Sequence, residues 1–512
     1  MQRRRYRRLS LIALGTALVA SAALVGASAG GVGASRPTLV IGRTADVNTL
    51  DPQKATAFQV VQTLDLIYGT LVQLNSKLDV VPGLAKSWKF TNNSQTLTFN
   101  LRPKVKFHNG AAFTSADVEA SLNRILDPAT AAVARANLSE ITNIATPNAL
   151  TVVLTLKDPD VPILAALADL NTAMMSAGDI KSGSFATHPN GTGPFEFSSW
   201  TPNQTLKLVR NPSYWGGNVR LGGVQFRIIP DETSVVSALK ANQIQMGLIS
   251  DPVVARQVKG KGLKVLRIPT LNYHVLMLND RHAPLDKQYV RLAIQCAIDR
   301  KQVLDSAALG EGKVTRPITS PAYRSDPNAR PCPTPNLAKA KKFLVAAGFP
   351  NGGITLRTIV ETGEYATAVS EAQSVQAQLA KVGITLDLQT LEAGTYVQRW
   401  LAADFDAAIA LNGGRVDPDT MYTRYFTSTG NLNKVAGYSS PKLDQLFAAG
   451  RATSNVAKRK AIYTQLSKTL EGQGVWVWLF TANDYHAITS KVHNFVPMPN
   501  GSLVYLRQTY LK

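Results

Sequence analysis

Residues 97–118 read LTFNLRPKVKFHNGAAFTSADV, and within that stretch the chain passes from strand to turn to helix. Leu97 to Leu101 has the β-branched and aromatic content of a strand. Asn109-Gly110 is a turn dipeptide between Phe107 and Phe113. Thr114-Ser115-Ala116-Asp117 fits a capping box, in which the first and fourth side chains satisfy each other's free backbone N–H groups. Val118, Leu122, Ile125 and Leu126 then recur at helical spacing, and Asp127-Pro128 stops the helix because the residue before proline avoids the α region.

The same alternation continues outward. Leu150–Leu156, Leu206–Val209 and Val224–Ile229 read as strands. Residues 289–304 carry Val290, Ile294, Ala297 and Ile298 on one stripe and read as a single helix. Asn336 is the expected N-cap of a helix through Ala347, with Gly348 just past its end. Residues 365–382 read as a further helix, followed by a strand Ile384–Leu388. Ser440-Pro441 supplies an N-cap and a first-turn proline for a helix ending before Gly450. Strands and helices mixed in this way define an α/β protein with more than one sheet.

The chain has 512 residues, which at ~150 residues per domain allows two to four structural units. Apolar residues at 45% against 17% charged are enough to bury a core and exclude a disordered chain. Arg3, Arg4, Arg5, Arg7 and Arg8 precede an uncharged stretch from Leu9 to Gly33, and Ala27-Ser28-Ala29 offers a signal-peptidase pattern. Residues 1–29 therefore read as a signal peptide, the alternative being an uncleaved anchor. Cleavage after Ala29 removes five arginines and no acid, taking the net charge from +21 to +16. The remaining positives are dispersed, and short clusters such as Lys458-Arg459-Lys460 read as solvated helix faces, which speaks against nucleic acid as a partner. Residues 20–36 contain no cysteine, so the expected product is exported, periplasmic or surface-associated, and not lipidated. The two cysteines, Cys296 and Cys332, are too few for a cysteine-based zinc site, but an oxidising compartment permits a bridge between them.

Sequence patterns for catalysis are missing. G-x-S-x-G, H-E-x-x-H, P-loop and G-x-G-x-x-G motifs do not occur. An S-x-x-K at Ser439–Lys442 holds Pro441, and Ser440 reads as a cap rather than a nucleophile neighbour. The six histidines are scattered without i,i+3 or i,i+4 pairs. No enzyme activity, metal or cofactor is expected.

An ordered series of blocks resembles the family 5 solute-binding proteins, the peptide- and nickel-binding receptors of ABC importers. It runs from Thr49-Leu50-Asp51-Pro52 through Pro82-Gly83-Leu84-Ala85, the stretch from Leu97 to Val118, Gly191-Thr192-Gly193-Pro194-Phe195 and Arg210–Gly216. Val290–Ile294, Ala297–Arg300, Asp417-Pro418-Asp419 and the Ser440-Pro441 helix complete it. The resemblance implies a two-lobe periplasmic-binding-protein fold (type II, in its large three-subdomain form) with mixed sheets and a ligand cleft between the lobes. Lobe I is expected over 37–270 plus 485–512, with an insert subdomain at about 60–180, and lobe II over 271–484. The implied function is a monomeric receptor that captures a peptide or similar-sized solute by hinge closure and delivers it to the transmembrane permease subunits. The alternatives are a receptor for a metal chelate, oligosaccharide, haem or other anion, or an exported hydrolase on the same scaffold.

The resemblance also places the ligand end group. In dipeptide and oligopeptide receptors of the family an aspartate pairs with the free α-amino group, and here Gly414 occupies that position, within Asn412-Gly413-Gly414-Arg415-Val416-Asp417. Arg415 would repel a cation and favour an anion, so a cargo without a free amine is expected unless Asp417 takes the amine role. Phe58 would cover the ligand. The expected ligand-binding set is Phe58, Asn412, Gly413, Gly414, Arg415 and Asp417.

Overall fold

The computed structural model describes residues 36–362, 365–436 and 438–512; the signal peptide expected over 1–29 lies outside them. Twelve strands form one mixed sheet around the long strand Trp476–Thr489. The run WVWLF at its start is buried on both faces, which is why it is apolar without alternation. Its first half pairs antiparallel with Tyr273–Leu278, and Gly312–Val314 lies against Phe480–Ala482. Its second half pairs antiparallel with Leu263–Pro269 and with Met246–Ile249.

The sheet extends from that strand in two directions. On one side Tyr273–Leu278 pairs with Ala407–Asn412, followed by the parallel strands Ile354–Thr362 and Ile384–Glu392. On the other, Met246–Ile249 pairs with Thr38–Arg43, then come Gly223–Ile228, Thr205–Arg210 and Phe195–Thr201. A separate four-stranded sheet holds Ala85–Thr91, Thr96–Leu101, Thr151–Leu156 and Ile141–Asn148. Helix Ser115–Leu126 lays Val118, Leu122 and Ile125 on that sheet against Leu97, Phe99 and Leu154. Its capping box is formed, with the Thr114 N–H donating to Asp117 at 2.8 Å.

Several boundaries differ from the sequence expectation, each for a local reason. The helix expected over 289–304 is two helices, Gln288–Ala297 and Arg300–Ala308. Between them Asp299 leaves the helical path to cap the second, accepting from the N–H groups of Lys301 and Gln302. The helix begun by Ser440-Pro441 runs past Gly450 to Arg451. Gly450 is there for helix contact, since a Cβ would stand 2.6 Å from the Tyr463 hydroxyl. Gly191 answers a similar demand: its Cβ would fall 2.0 Å from the Ile67 carbonyl oxygen. Among Lys458, Arg459 and Lys460, read as a solvated face, Arg459 is buried within helix Val456–Gln473. Cys296 and Cys332 are joined in a disulfide, with Cα atoms 5.0 Å apart. Among the described residues no helix is long and apolar enough to cross a membrane.

Candidate functional site

A cavity of about 310 Å³ lies where the strand Trp476–Thr489 passes from its first set of partners to its second. Residues from both directions of the sheet wall it: Arg43 and Leu248 from one, Asn272, His274 and Leu411 from the other, with Ala482–His486 between them. Helix Phe58–Leu64 adds Phe58, Gln59 and Gln62, and Phe58, 59% exposed, stands at the rim. The volume is at the small end of the ~300–1,000 Å³ usual for ligand cavities, suited to a small solute rather than a long peptide.

The ionisable groups of the wall differ in how they are satisfied. Arg43 is buried, donates from Nη1 to the Gln59 carbonyl at 2.9 Å and to Thr63 Oγ1 at 2.8 Å, and lies over the Phe226 ring. Burial pulls its pKa down to about 10, with Asp46 opposing, so it stays charged. Glu232 accepts from the Ser250 N–H and hydroxyl, both at 2.8 Å, and from the Asp251 N–H at 3.0 Å. Glu311 faces Arg267 at 3.0 Å and Arg256 at 3.8 Å. Asp484 has no hydrogen-bond or ion-pair partner among the described residues, and burial, with Glu232 adding, pushes its carboxyl up to about 6. His486 is buried, its Nδ1 is unpartnered, and burial holds the ring down to about 4, so it is neutral.

His274 completes the wall on the opposite side. Its ring stacks on Phe480 at 4.2 Å between centroids, and its Nδ1 lies 2.8 Å from Glu371 Oε1, also buried. Among the described residues no three His, Cys, Asp or Glu side chains are grouped to hold a metal ion. The arrangement is suited to binding a polar solute by hydrogen bonds and charge, under an aromatic rim.

Of the residues expected from sequence, Phe58 lines this cavity; Asn412, Gly413, Gly414, Arg415 and Asp417 do not, although Leu411 does. Asn412 is buried opposite Tyr273 in the sheet. The Gly414 N–H donates to the Asn272 side chain at 3.1 Å, and a Cβ there would fall 1.9 Å from the Leu271 carbonyl oxygen. Arg415 lies 3.6 Å from Asp169, so its charge is answered within the chain. Asp417 caps helix Pro418–Phe426 and is held by Arg459, in the wall of a different cavity beside Trp88 and Tyr323. Sequence reasoning missed Glu232, Glu311, Asp484 and His486. The signal for the last two is an acid and a histidine in a strand that opens on the apolar run WVWLF, where burial is costly without a use.

The fold is that of the periplasmic binding proteins, a class that includes the substrate-binding receptors of ABC importers. Residues 79–433 match the family described as "Bacterial extracellular solute-binding proteins, family 5 Middle", and the chain belongs to the family 5 solute-binding proteins. It is 27% identical over 522 residues to the glutathione-binding protein GsiB of Escherichia coli (strain K12), covering 96% of this chain and 97% of that one. A probable di/tripeptide-binding protein 5 of Pseudomonas aeruginosa is 28% identical over 469 residues, covering 85% and 88%. Among solved structures, AgaA from A. tumefaciens R10 in complex with agropinic acid superposes with TM-score 0.78 at 28% identity, over 93% of this chain and 99% of that one. DppA from Helicobacter pylori in complex with peptide STSA gives TM-score 0.76 at 26% identity, over 93% and 99%. This chain is a solute-binding receptor of the ABC-importer type.

Proposed function

We propose that the protein captures a small solute, of short-peptide or amino-acid-conjugate size, in the cavity at the crossing strand and delivers it to a membrane permease. In this reading 37–270 with 485–512 forms one lobe, 271–484 the other, and 60–180 an insert on the first. The ligand bridges the lobes and favours the closed form, which the permease recognises; no covalent step is involved. The protein acts as a monomer outside the cytoplasm. The observation that carries the reading is the cavity itself, whose wall draws charged and polar groups from both sides of Trp476–Thr489. The relatives named for glutathione and for di- and tripeptides support a solute of this size.

Mass spectrometry of ligand released from the purified protein identifies the cargo, and small-angle scattering tests closure. The radius of gyration is expected to fall when stripped protein is reloaded with that ligand. Tight binding with an unchanged radius would remove the hinge.

A further inference from the structure

The acids of the cavity wall are unequal. Glu232 is occupied by Ser250 and Asp251 and Glu311 by Arg267, while Glu371, behind His274, accepts from the Thr367 hydroxyl, has His274 Nδ1 2.8 Å from that same oxygen, and keeps Oε2 without a hydrogen-bond partner. Asp484 is different. Its backbone is opposite Ile268 in the sheet, its side chain lines the cavity, and no cation or donor among the described residues meets it. Among the described lining residues the one arginine, Arg43, is met at Nη1 by Gln59 and Thr63 and has Asp46 3.6 Å from Nη2, while its Nε and Nη2 lack hydrogen-bond partners and stay free for an anionic group.

A second observation marks the same spot. His486, two residues along the strand and therefore on the same face, is 4% exposed, lines the cavity, and has an Nδ1 without a partner. Two unmet polar groups sit side by side where an empty wall would favour apolar residues. An unpaired, half-buried carboxylate next to a second acid is costly; a cation arriving with the ligand removes that cost.

We propose that Asp484 anchors a cationic group of the ligand, a free ammonium of a small amino-acid-derived zwitterion, and that the His486 ring hydrogen-bonds the polar group beside it. The inference rests on reading this cavity as the ligand site. It moves the cation anchor from the loop after Ala407–Asn412, where Gly414 has no side chain to offer, to the crossing strand. It also replaces the expectation of a cargo without a free amine, because the charge behind that expectation, Arg415, is turned to Asp169. A neutral imidazole beside the anchor does not repel a cation, whereas a protonated one would.

The test is calorimetry on stripped full-length protein with glutathione, Ala-Ala and Ala-Ala-Ala, each compared with its N-acetyl form. At least one free-amine compound is expected to bind. Acetylation should weaken it ~30-fold or more, the loss typical of truncating one partner of a buried charge pair. Asp484→Asn should weaken the free-amine form by a similar factor and leave the acetylated form nearly unchanged. Equal affinity of wild type and Asp484→Asn for the free-amine form, preference for the acetylated forms, or no binding of any of the three amines would overturn the proposal. The acetylation arm needs only wild type, so a variant that fails to fold does not rescue the idea. If released native ligand still closes the lobes while no amine binds, the receptor reading stands and the anchor falls.

Discussion

Arg459 grips Asp417 in a buried fork, Nη1 to Oδ2 at 2.6 Å and Nη2 to Oδ1 at 3.0 Å, and donates also to the hydroxyls of Tyr323 and Tyr463. The carboxylate that lies closest in sequence to the expected amine site is thus spent inside the protein, where it ties helix Pro418–Phe426 to helix Val456–Gln473. Asp417→Asn or Arg459→Met should each cost ~3–5 kcal/mol, because either leaves a buried group without its counter-charge. Urea unfolding measures the loss; the double variant should recover part of it. Ligand affinity of the folded fraction should not change.

Installing the family's aspartate should fail. Gly414→Asp places a Cβ 1.9 Å from the Leu271 carbonyl oxygen, so the chain must move before any carboxylate can meet an amine. We expect a loss of at least ~2 kcal/mol in unfolding free energy and no gain in affinity for free-amine peptides by calorimetry. A well-folded variant with tighter dipeptide binding would contradict this.

The Cys296–Cys332 disulfide joins helix Gln288–Ala297 to the segment leading into helix Leu337–Ala346 and closes a separation of 36 residues. By the chain-entropy relation that loop is worth ~4 kcal/mol through the unfolded state. Denatured, unreduced protein should titrate no thiols, and reductant should lower the urea midpoint. Two free thiols without reductant would remove the bridge.

Asp160 lies in a small cavity with Asp419 and Arg451. Burial first, then the charge of Asp419, pushes its carboxyl from 3.8 up to about 8. An acid raised by folding holds its proton in the native state while the unfolded chain has released it. Its contribution to stability therefore declines as pH rises from about 4 to about 8 and is level outside that window. Asp160→Asn should leave stability at pH 4 unchanged and raise it at pH 8 by at least ~1 kcal/mol, read from unfolding curves at the two values. A parallel pH profile for variant and wild type would show that Asp160 does not titrate in this range.

What was legible in the sequence was what neighbours in the chain decide. Thr114 and Asp117 cap their helix through each other, and Asn336 and Ser440 cap theirs through the backbone N–H groups of Lys339 and Leu443. The break at Asp299 was hidden because the apolar stripe from Val290 to Ile298 stops just before it and apolar residues resume at Val303 and Leu304 just beyond. Arg459 was hidden by its flanking lysines, since helical spacing turns only one of three consecutive residues inward. The cavity was illegible for a different reason. Arg43, Glu232, Glu311 and Asp484 are separated by tens to hundreds of positions, and only strand pairing brings them to one wall. The family resemblance supplied the scaffold and pointed to a loop, whereas this chain carries its unmet charge on a strand.

The place of Trp476–Thr489 at the middle of the sheet has a consequence for how the chain comes together. Every strand it joins, from Met246–Ile249 to Tyr273–Leu278 and Gly312–Val314, is synthesised long before it. Until it arrives, both halves of the sheet present a raw edge with free N–H and C=O groups, the kind of surface on which chains aggregate. Assembly of the seam is therefore among the last events, whatever the speed of the outer parts. A nascent chain that holds these two half-sheets unformed until the segment Trp476–Thr489 is free avoids the exposed intermediate. A chain cut before Trp476 keeps two half-sheets and nothing to join them.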